Sequence, residues 1–189
     1  MPKRTYDFGH YGARGIKGSE AVARQLDQLV DYITTPITTK RGLMARLNYL
    51  TKSEPARQAA REAGLTVTDR TIKAWLTGKR HPSRASLQQI ETAYHTVRRQ
   101  NVARYLLRRL NGGGGTRVEI HPFSQSQVDR RFQRVLEYRN LNVRQWDALV
   151  RAWAVGDGGA LDDAWVNIIT DLGSQWGQYE YVSAVGFAA

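Results

Sequence analysis

The chain has 189 residues, 28 Lys and Arg against 17 Asp and Glu, four His and no Cys, for a net charge of +11. Without Cys there is no disulfide framework and no thiolate zinc site, and the scattered His10, His81, His95 and His121 leave little for another metal. A long apolar run is also missing, as is a polybasic patch beside a lipidation signal, so no membrane partner is expected.

The length accommodates one large domain or two small ones, and the charge favours two. Residues 1–111 carry 21 Lys and Arg against 8 Asp and Glu, a net of +13, while residues 112–189 carry 7 against 9, a net of −2. A basic excess confined to one region is the electrostatic footprint of a surface that meets phosphates, which solubility alone does not explain. The expected division is a flexible basic arm over 1–18, a helical DNA-binding domain over 19–111 and a small α+β domain over 112–189.

In the arm, Gly9, Gly12, Gly15 and Gly18 disfavour helix, and Lys3, Arg4, Arg14 and Lys17 supply charge. The arm lacks the apolar centre of a secretory signal, so a cytoplasmic, nucleoid-associated location is expected. Ser19 is expected to cap a helix in which Val22, Leu26, Leu29, Val30 and Ile33 recur at helical spacing, ending near Thr34. Thr34 to Thr39, with Pro36, reads as a connector, and Leu43, Met44, Leu47 and Leu50 mark a second helix.

The segment from about Pro55 to Thr77 reads as a helix-turn-helix. Pro55 suits a first helical turn, and Ala56, Ala59, Ala60 and Ala63 make a small-residue face that another helix can approach closely. Gly64 stops that helix, Leu65 and Val67 plug the corner, and Thr68 or Asp69 caps the next. Ile72, Trp75 and Leu76 form the inward stripe of this second helix, and Gly78 closes it as a left-handed cap. Arg70, Lys73, Ala74 and Thr77 remain outside, with Thr71 at the edge. Such a face matches the major groove, where Arg or Lys donates to guanine edges and a small apolar or Thr side chain meets a thymine methyl group. Lys79, Arg80 and Arg84 follow, placed for phosphates. The expected DNA-binding residues are therefore Thr68, Asp69, Arg70, Thr71, Lys73, Ala74, Thr77, Lys79, Arg80 and Arg84. The competing reading is an ordinary helical hairpin with a buried Trp75 and a solvated basic face.

The stretch Thr71-Ile72-Lys73-Ala74-Trp75-Leu76-Thr77-Gly78-Lys79-Arg80-His81-Pro82-Ser83, followed by Leu87 and Ile90, resembles the recognition-helix region of the XRE or lambda-repressor-like helix-turn-helix family. The resemblance covers about Gly42 to Tyr94 and implies a bundle of four or five helices whose third helix reads bases. Between Gly64 and Thr71 the chain is about two residues longer than the usual tight turn. More distantly, Thr35-Pro36-Ile37-Thr38-Thr39-Lys40 and Met44-Ala45-Arg46-Leu47-Asn48-Tyr49-Leu50, ahead of the motif, look like the telomere terminal proteins of linear actinobacterial replicons. That likeness implies a protein attached to DNA ends through a side-chain hydroxyl, and no residue here matches the priming position.

Ser83 is expected to cap a long helix with Leu87, Ile90, Tyr94, Val97, Tyr105, Leu106 and Leu110 inward and Arg98, Arg99, Arg104, Arg108 and Arg109 on the other face, a density that could line a DNA backbone. Gly112 to Gly115 reads as a hairpin tip or hinge. Arg117 to His121 and Phe132 to Tyr138 alternate as two strands. Asn142 is expected to cap a helix from Val143 to Ala154, and Leu161 to Leu172 forms another, with Asp162 and Asp163 in its first turn rather than, with Asp157, on a magnesium ion. The aromatic tail from Trp176 to Phe187 packs on its own domain or at a subunit interface.

The expected fold is mainly α (α+β). The expected function is sequence-specific binding of double-stranded DNA by a transcriptional or replicon regulator acting as a homodimer, without cofactor, metal, small-molecule substrate or catalytic residue. A terminal or replication protein acting on the ends of a linear replicon, and a structural assembly protein, are the alternatives.

Overall fold

The computed structural model describes residues 14–127, 129–133, 137–171 and 179–187. In chain order these form β1 (Ile16–Lys17), α1 (Gly18–Gln28), α2 (Lys40–Thr51), α3 (Glu54–Glu62), α4 (Asp69–Leu76), α5 (Arg84–Asn111), β2 (Thr116–Pro122), β3 (Arg139–Val143), α6 (Asp147–Val155), α7 (Gly158–Asp171) and β4 (Tyr181–Phe187). A chain dominated by helices, with one small antiparallel sheet, is the α+β class expected from helical spacing in the first half and alternation in the second. No described helix is long and apolar enough to cross a membrane.

Two compact units result, one of residues 30–102 and one of residues 1–29 with 103–189. This division differs from the expected breaks at 18 and 111. The reason lies in α1, whose buried Ala21, Val22 and Leu26 serve the sheet unit through contacts with β4 and α7. The helix also stops at Gln28 rather than near Thr34, which leaves Val30 and Ile33 to the other unit.

In residues 30–102, each helix starts on a hydroxyl. Thr39 Oγ1 accepts from Gly42 N at 3.0 Å, Ser53 Oγ from Ala56 N at 3.3 Å, Thr68 Oγ1 from Thr71 N at 3.3 Å and Ser83 Oγ from Ser86 N at 3.1 Å. Their apolar stripes meet in one core of Leu43, Leu47, Leu50, Ala60, Leu65, Ile72, Trp75, Ile90, Ala93, Tyr94 and Val97. Tyr94, 1 % exposed, is buried without an unmet hydroxyl because its oxygen accepts from Ile33 N at 2.9 Å. Gly42 must be glycine, since a Cβ there would lie 2.0 Å from the Pro36 carbonyl oxygen.

The exception in this apolar core is Arg46, 3 % exposed. Its guanidinium donates to the carbonyls of Thr35 at 2.8 Å, Gly42 at 3.1 Å and Ile33 at 3.0 Å, and it pairs with the Glu91 carboxylate. One side chain thus ties the connector before α2 to α2 and to α5.

In the sheet unit the strand order is β1-β4-β2-β3, antiparallel throughout. Val118 faces Leu141 on one side and Phe187 on the other, and Ile120 faces Val185, so alternate residues of β2 and β4 build one buried face. The tail segment Tyr181–Phe187 is therefore an interior strand whose Phe187 ring meets Trp146 edge-on at 5.2 Å, and it packs on its own unit. Three buried indoles each place their N–H. Trp146 donates to Val143 O at 3.1 Å, Trp153 to Asp27 Oδ1 at 3.2 Å and Trp165 to Tyr179 O at 3.0 Å.

Several local expectations are corrected. Ser19 does not cap α1; buried at 3 % exposure, its hydroxyl donates to Asp162, which also pairs with Lys17. Gly18 is explained by packing, because a Cβ there would lie 2.1 Å from Trp165 Nε1. Of the basic arm, residues 1–13 with Lys3 and Arg4 lie outside the described residues, and Arg14 and Lys17 belong to sheet structure, Arg14 bridging Ser124. Asp157 caps α7 by accepting from Ala160 N at 3.0 Å, so Asp162 and Asp163 sit a turn further in. The second strand of the hairpin is Arg139–Val143; of the expected segment Phe132–Tyr138, residue 132 ends a 3-10 turn that begins at Arg130, and residues 134–136 lie outside the described set. Asn142 lies inside that strand and donates to Gly114 O at 3.1 Å, while the helix it was expected to cap begins at Asp147. Gly112–Gly114 forms a 3-10 turn joining α5 to β2 rather than a hairpin tip.

Replacing Arg46 by Ala strands the Glu91 carboxylate and leaves three carbonyls short of a donor. Urea unfolding of Arg46→Ala is expected to show a loss of about 3 to 5 kcal/mol. The double variant Arg46→Met with Glu91→Leu recovers only part of that loss, because an apolar pair leaves no buried charge but gives the Ile33 and Thr35 carbonyls no donor.

Candidate nucleic-acid interface

The central element is α4, eight residues from Asp69 to Leu76. Helices this short are marginal alone, so its position is set by what it buries. Ile72 and Trp75, each 7 % exposed, enter the core with the half-buried Leu76 beside them. At 100° per residue, Lys73, Thr77, Arg70 and Ala74 fall together within an arc of about 100° on the opposite side. Arg70, Lys73 and Thr77 are exposed and Ala74 is half-buried.

Both ends of the helix are fixed locally. At the start, the Thr68 hydroxyl accepts from Thr71 N and lies 3.0 Å from the Thr71 hydroxyl, and the Asp69 carboxylate in the first turn complements the helix dipole. At the end, Thr77 closes the last turn with its hydroxyl donating to Lys73 O at 2.9 Å, and Gly78, at φ +73°, turns the chain away. Arg80 N then donates back to Ala74 O at 3.2 Å, holding the following basic residues against the helix end.

These bonds sort the ten expected contact residues, the half-buried and apolar Ala74 apart, into two kinds. Thr68, Asp69 and Thr71 serve the helix terminus, and Thr77 has its hydroxyl proton committed to the backbone. Arg70, Lys73, Lys79, Arg80 and Arg84 are exposed, and no hydrogen bond or ion pair engages the side chain of any of them among the described residues. From Arg70 to Arg84 the sequence holds no acidic residue, so five cations project from one short stretch without a compensating carboxylate in it.

Preceding α4, helix α3 packs on α2 through Ala56 and Ala60, and Gly64, at φ +94°, ends it. Six residues, Ala63 to Thr68, join α3 to α4, a longer link than the three or four of the usual motif. Leu65, 2 % exposed, and the half-buried Val67 plug this link, as their spacing predicts.

The arginine face of α5 is more divided than its sequence implies. Arg98 donates to Asp31 O at 3.1 Å and lies 5.8 Å over the Tyr49 ring, and Arg99 donates to the Tyr32 hydroxyl at 3.2 Å. Tyr105, placed inward by its spacing from Tyr94 and Val97, is 63 % exposed. The reason is a change of phase: the later part of the helix buries Leu106 and Leu110, and Tyr105 is out of step with that pair. The signal was present in the Leu106-to-Leu110 spacing of four, read separately from the first half.

Because the Thr68 hydroxyl meets an otherwise unpaired backbone donor, Thr68→Ala is expected to lower the unfolding free energy by about 1 kcal/mol in urea, while Thr68→Asp, which keeps a cap acceptor, stays near the parent.

Compared with protein-family models, with curated proteins and with solved structures, the chain matches none.

Proposed function

We propose that the chain binds double-stranded DNA with α4 in the major groove, as a sequence-specific regulator. The observation carrying this reading is the outward arc of α4, where Thr77 lies between Lys73 and Arg70 with the small Ala74 beside Arg70, and neither cation has a side-chain partner among the described residues. Short side chains between long cations let a helix approach base edges closely while guanidinium and ammonium groups reach guanine acceptors. Lys79, Arg80 and Arg84, just beyond the helix, take the phosphates that fix register.

Charge supports the same assignment. Residues 30–102 hold thirteen Lys and Arg against five Asp and Glu, a net of +8. Glu54 and Glu91 pair with Arg57, Arg61 and Arg46, away from the α4 arc. The long-range attraction toward a polyanion is therefore concentrated on the unpaired stretch. On a symmetric operator, two copies would engage half-sites about one helical turn apart.

The test begins with a duplex selected from random sequence and measures affinity on it and on scrambled duplex. The double variant Arg70→Ala with Lys73→Ala is expected to lose about 1 to 3 kcal/mol per base contact on the selected site and much less on scrambled DNA. Lys79→Ala, Arg80→Ala and Arg84→Ala each lower the salt slope of binding by about one, on both duplexes alike. Equal losses on the two duplexes for the first pair would overturn the base-reading assignment.

A further inference from the structure

From Thr92 to Asn111, α5 contains five Arg and no Asp or Glu. Arg98 and Arg99 are engaged by Asp31 and Tyr32, but Arg104, Arg108 and Arg109 are exposed, and no hydrogen bond or ion pair engages their side chains among the described residues. Tyr105 stands among them at 63 % exposure, one of three exposed large apolar side chains among the described residues and the more exposed of the two aromatic ones. At 100° per residue, Arg104, Tyr105, Arg108 and Arg109 share an arc of about 140°, with the buried Leu106 and Leu110 outside it. Arg108 and Arg109 are three and four residues on from Tyr105, so they are its neighbours on the helix surface.

We propose that this arc of residues 104–109 binds single-stranded DNA, with a base stacked on the Tyr105 ring and flanking phosphates against Arg104, Arg108 and Arg109. An open aromatic face beside cations that lack carboxylate partners is the pairing by which sequence-tolerant single-strand surfaces work: every base has a π-face, and the backbone supplies the charge. A duplex keeps its base faces inside the stack, so the ring selects an unpaired strand where the arginines alone would not. An anionic membrane would satisfy the arginines, but it gives a lone phenol ring among three guanidiniums no stacking partner. The residues are distinct from those proposed to read duplex DNA. Only the choice of DNA over RNA rests on that earlier reading.

The experiment uses the full chain and a labelled 20-nucleotide oligo-dT in fluorescence anisotropy at low salt, with a duplex, an oligo-U of the same length and phosphatidylserine vesicles as parallel arms. Oligo-dT is expected to bind, and Tyr105→Ala to weaken it by about 5- to 150-fold, the range that one stacked base supplies. Tyr105→Phe keeps the ring and stays within about twofold of the parent. Arg108→Ala and Arg109→Ala each reduce the salt slope by about 0.7, the single-strand value per phosphate. Duplex affinity is unchanged in Tyr105→Ala, whereas the Arg70→Ala, Lys73→Ala double variant loses duplex binding and keeps oligo-dT, so the two readings fail separately. Because Tyr105 is exposed, its variants are expected to melt like the parent. Failure to bind oligo-dT, an equal loss on single strand and duplex in Tyr105→Ala, tighter binding to oligo-U, or vesicle binding in place of oligo-dT binding overturns the proposal.

Discussion

The outward face of α4 depends on the anchoring of Ile72 and Trp75 in the core of residues 30–102. An eight-residue helix has too few internal hydrogen bonds to hold itself in water, and its rotation about its own axis is set entirely by which side chains are buried. A slip of one residue in that stripe would turn the helix by about 100° and carry Arg70 and Lys73 to its flank. Burial of a Trp and an Ile supplies about 1.5 to 3 kcal/mol each against such a slip. Apolar contact on one side is thus what gives the charged side a fixed direction.

A second constraint acts on the helices behind it. Arg46 is an unusual resident of an apolar core, and a buried guanidinium is tolerated only where its donors are met. Carbonyls of Ile33, Thr35 and Gly42 and the Glu91 carboxylate take bonds from its two terminal nitrogens, so the connector of residues 33–39 is held by bonds rather than by packing alone. The same connector brings Pro36 against Gly42, where no side chain fits. This network orients α2, and α2 carries the surface on which α3 and α4 rest.

What the sequence made legible follows from range. From Ser53 to Ser83 nearly every determinant acts within four residues: hydroxyl caps at Ser53, Thr68 and Ser83, positive φ at Gly64 and Gly78, and apolar spacing at Ile72 and Trp75. These are visible in a linear string, and the motif with its exposed cations could be read from it. Ser19 could not, because its partner Asp162 lies 143 residues away. The strand at Arg139–Val143 was placed too early for a related reason: apolar and polar residues are mixed from Phe132 to Val143, and only pairing with β2, Val118 against Leu141, fixes which stretch joins the sheet. Tyr105 was misplaced because a single period was carried along a 28-residue helix whose buried positions change phase as it passes from one unit to the other.

The pairing pattern of the arginines explains why charge count alone is a poor guide to surface chemistry here. Arg46, Arg57, Arg61, Arg98 and Arg99 all have partners: Arg46, Arg98 and Arg99 tie the segment of residues 31–35 to α2 and α5, while Arg57 and Arg61 pair with Glu54 within α3. Among the described residues, two groups of unpaired cations lie within residues 70–84 and 104–109, and they differ in what stands between the charges. In the first group the short Thr77 lies between Lys73 and Arg70, with Ala74 beside them, so the surface between the cations is low. In the second group an exposed ring, Tyr105, stands among the arginines. The five cations of the first group and the three of the second therefore differ in number as well as in the side chains that stand between them.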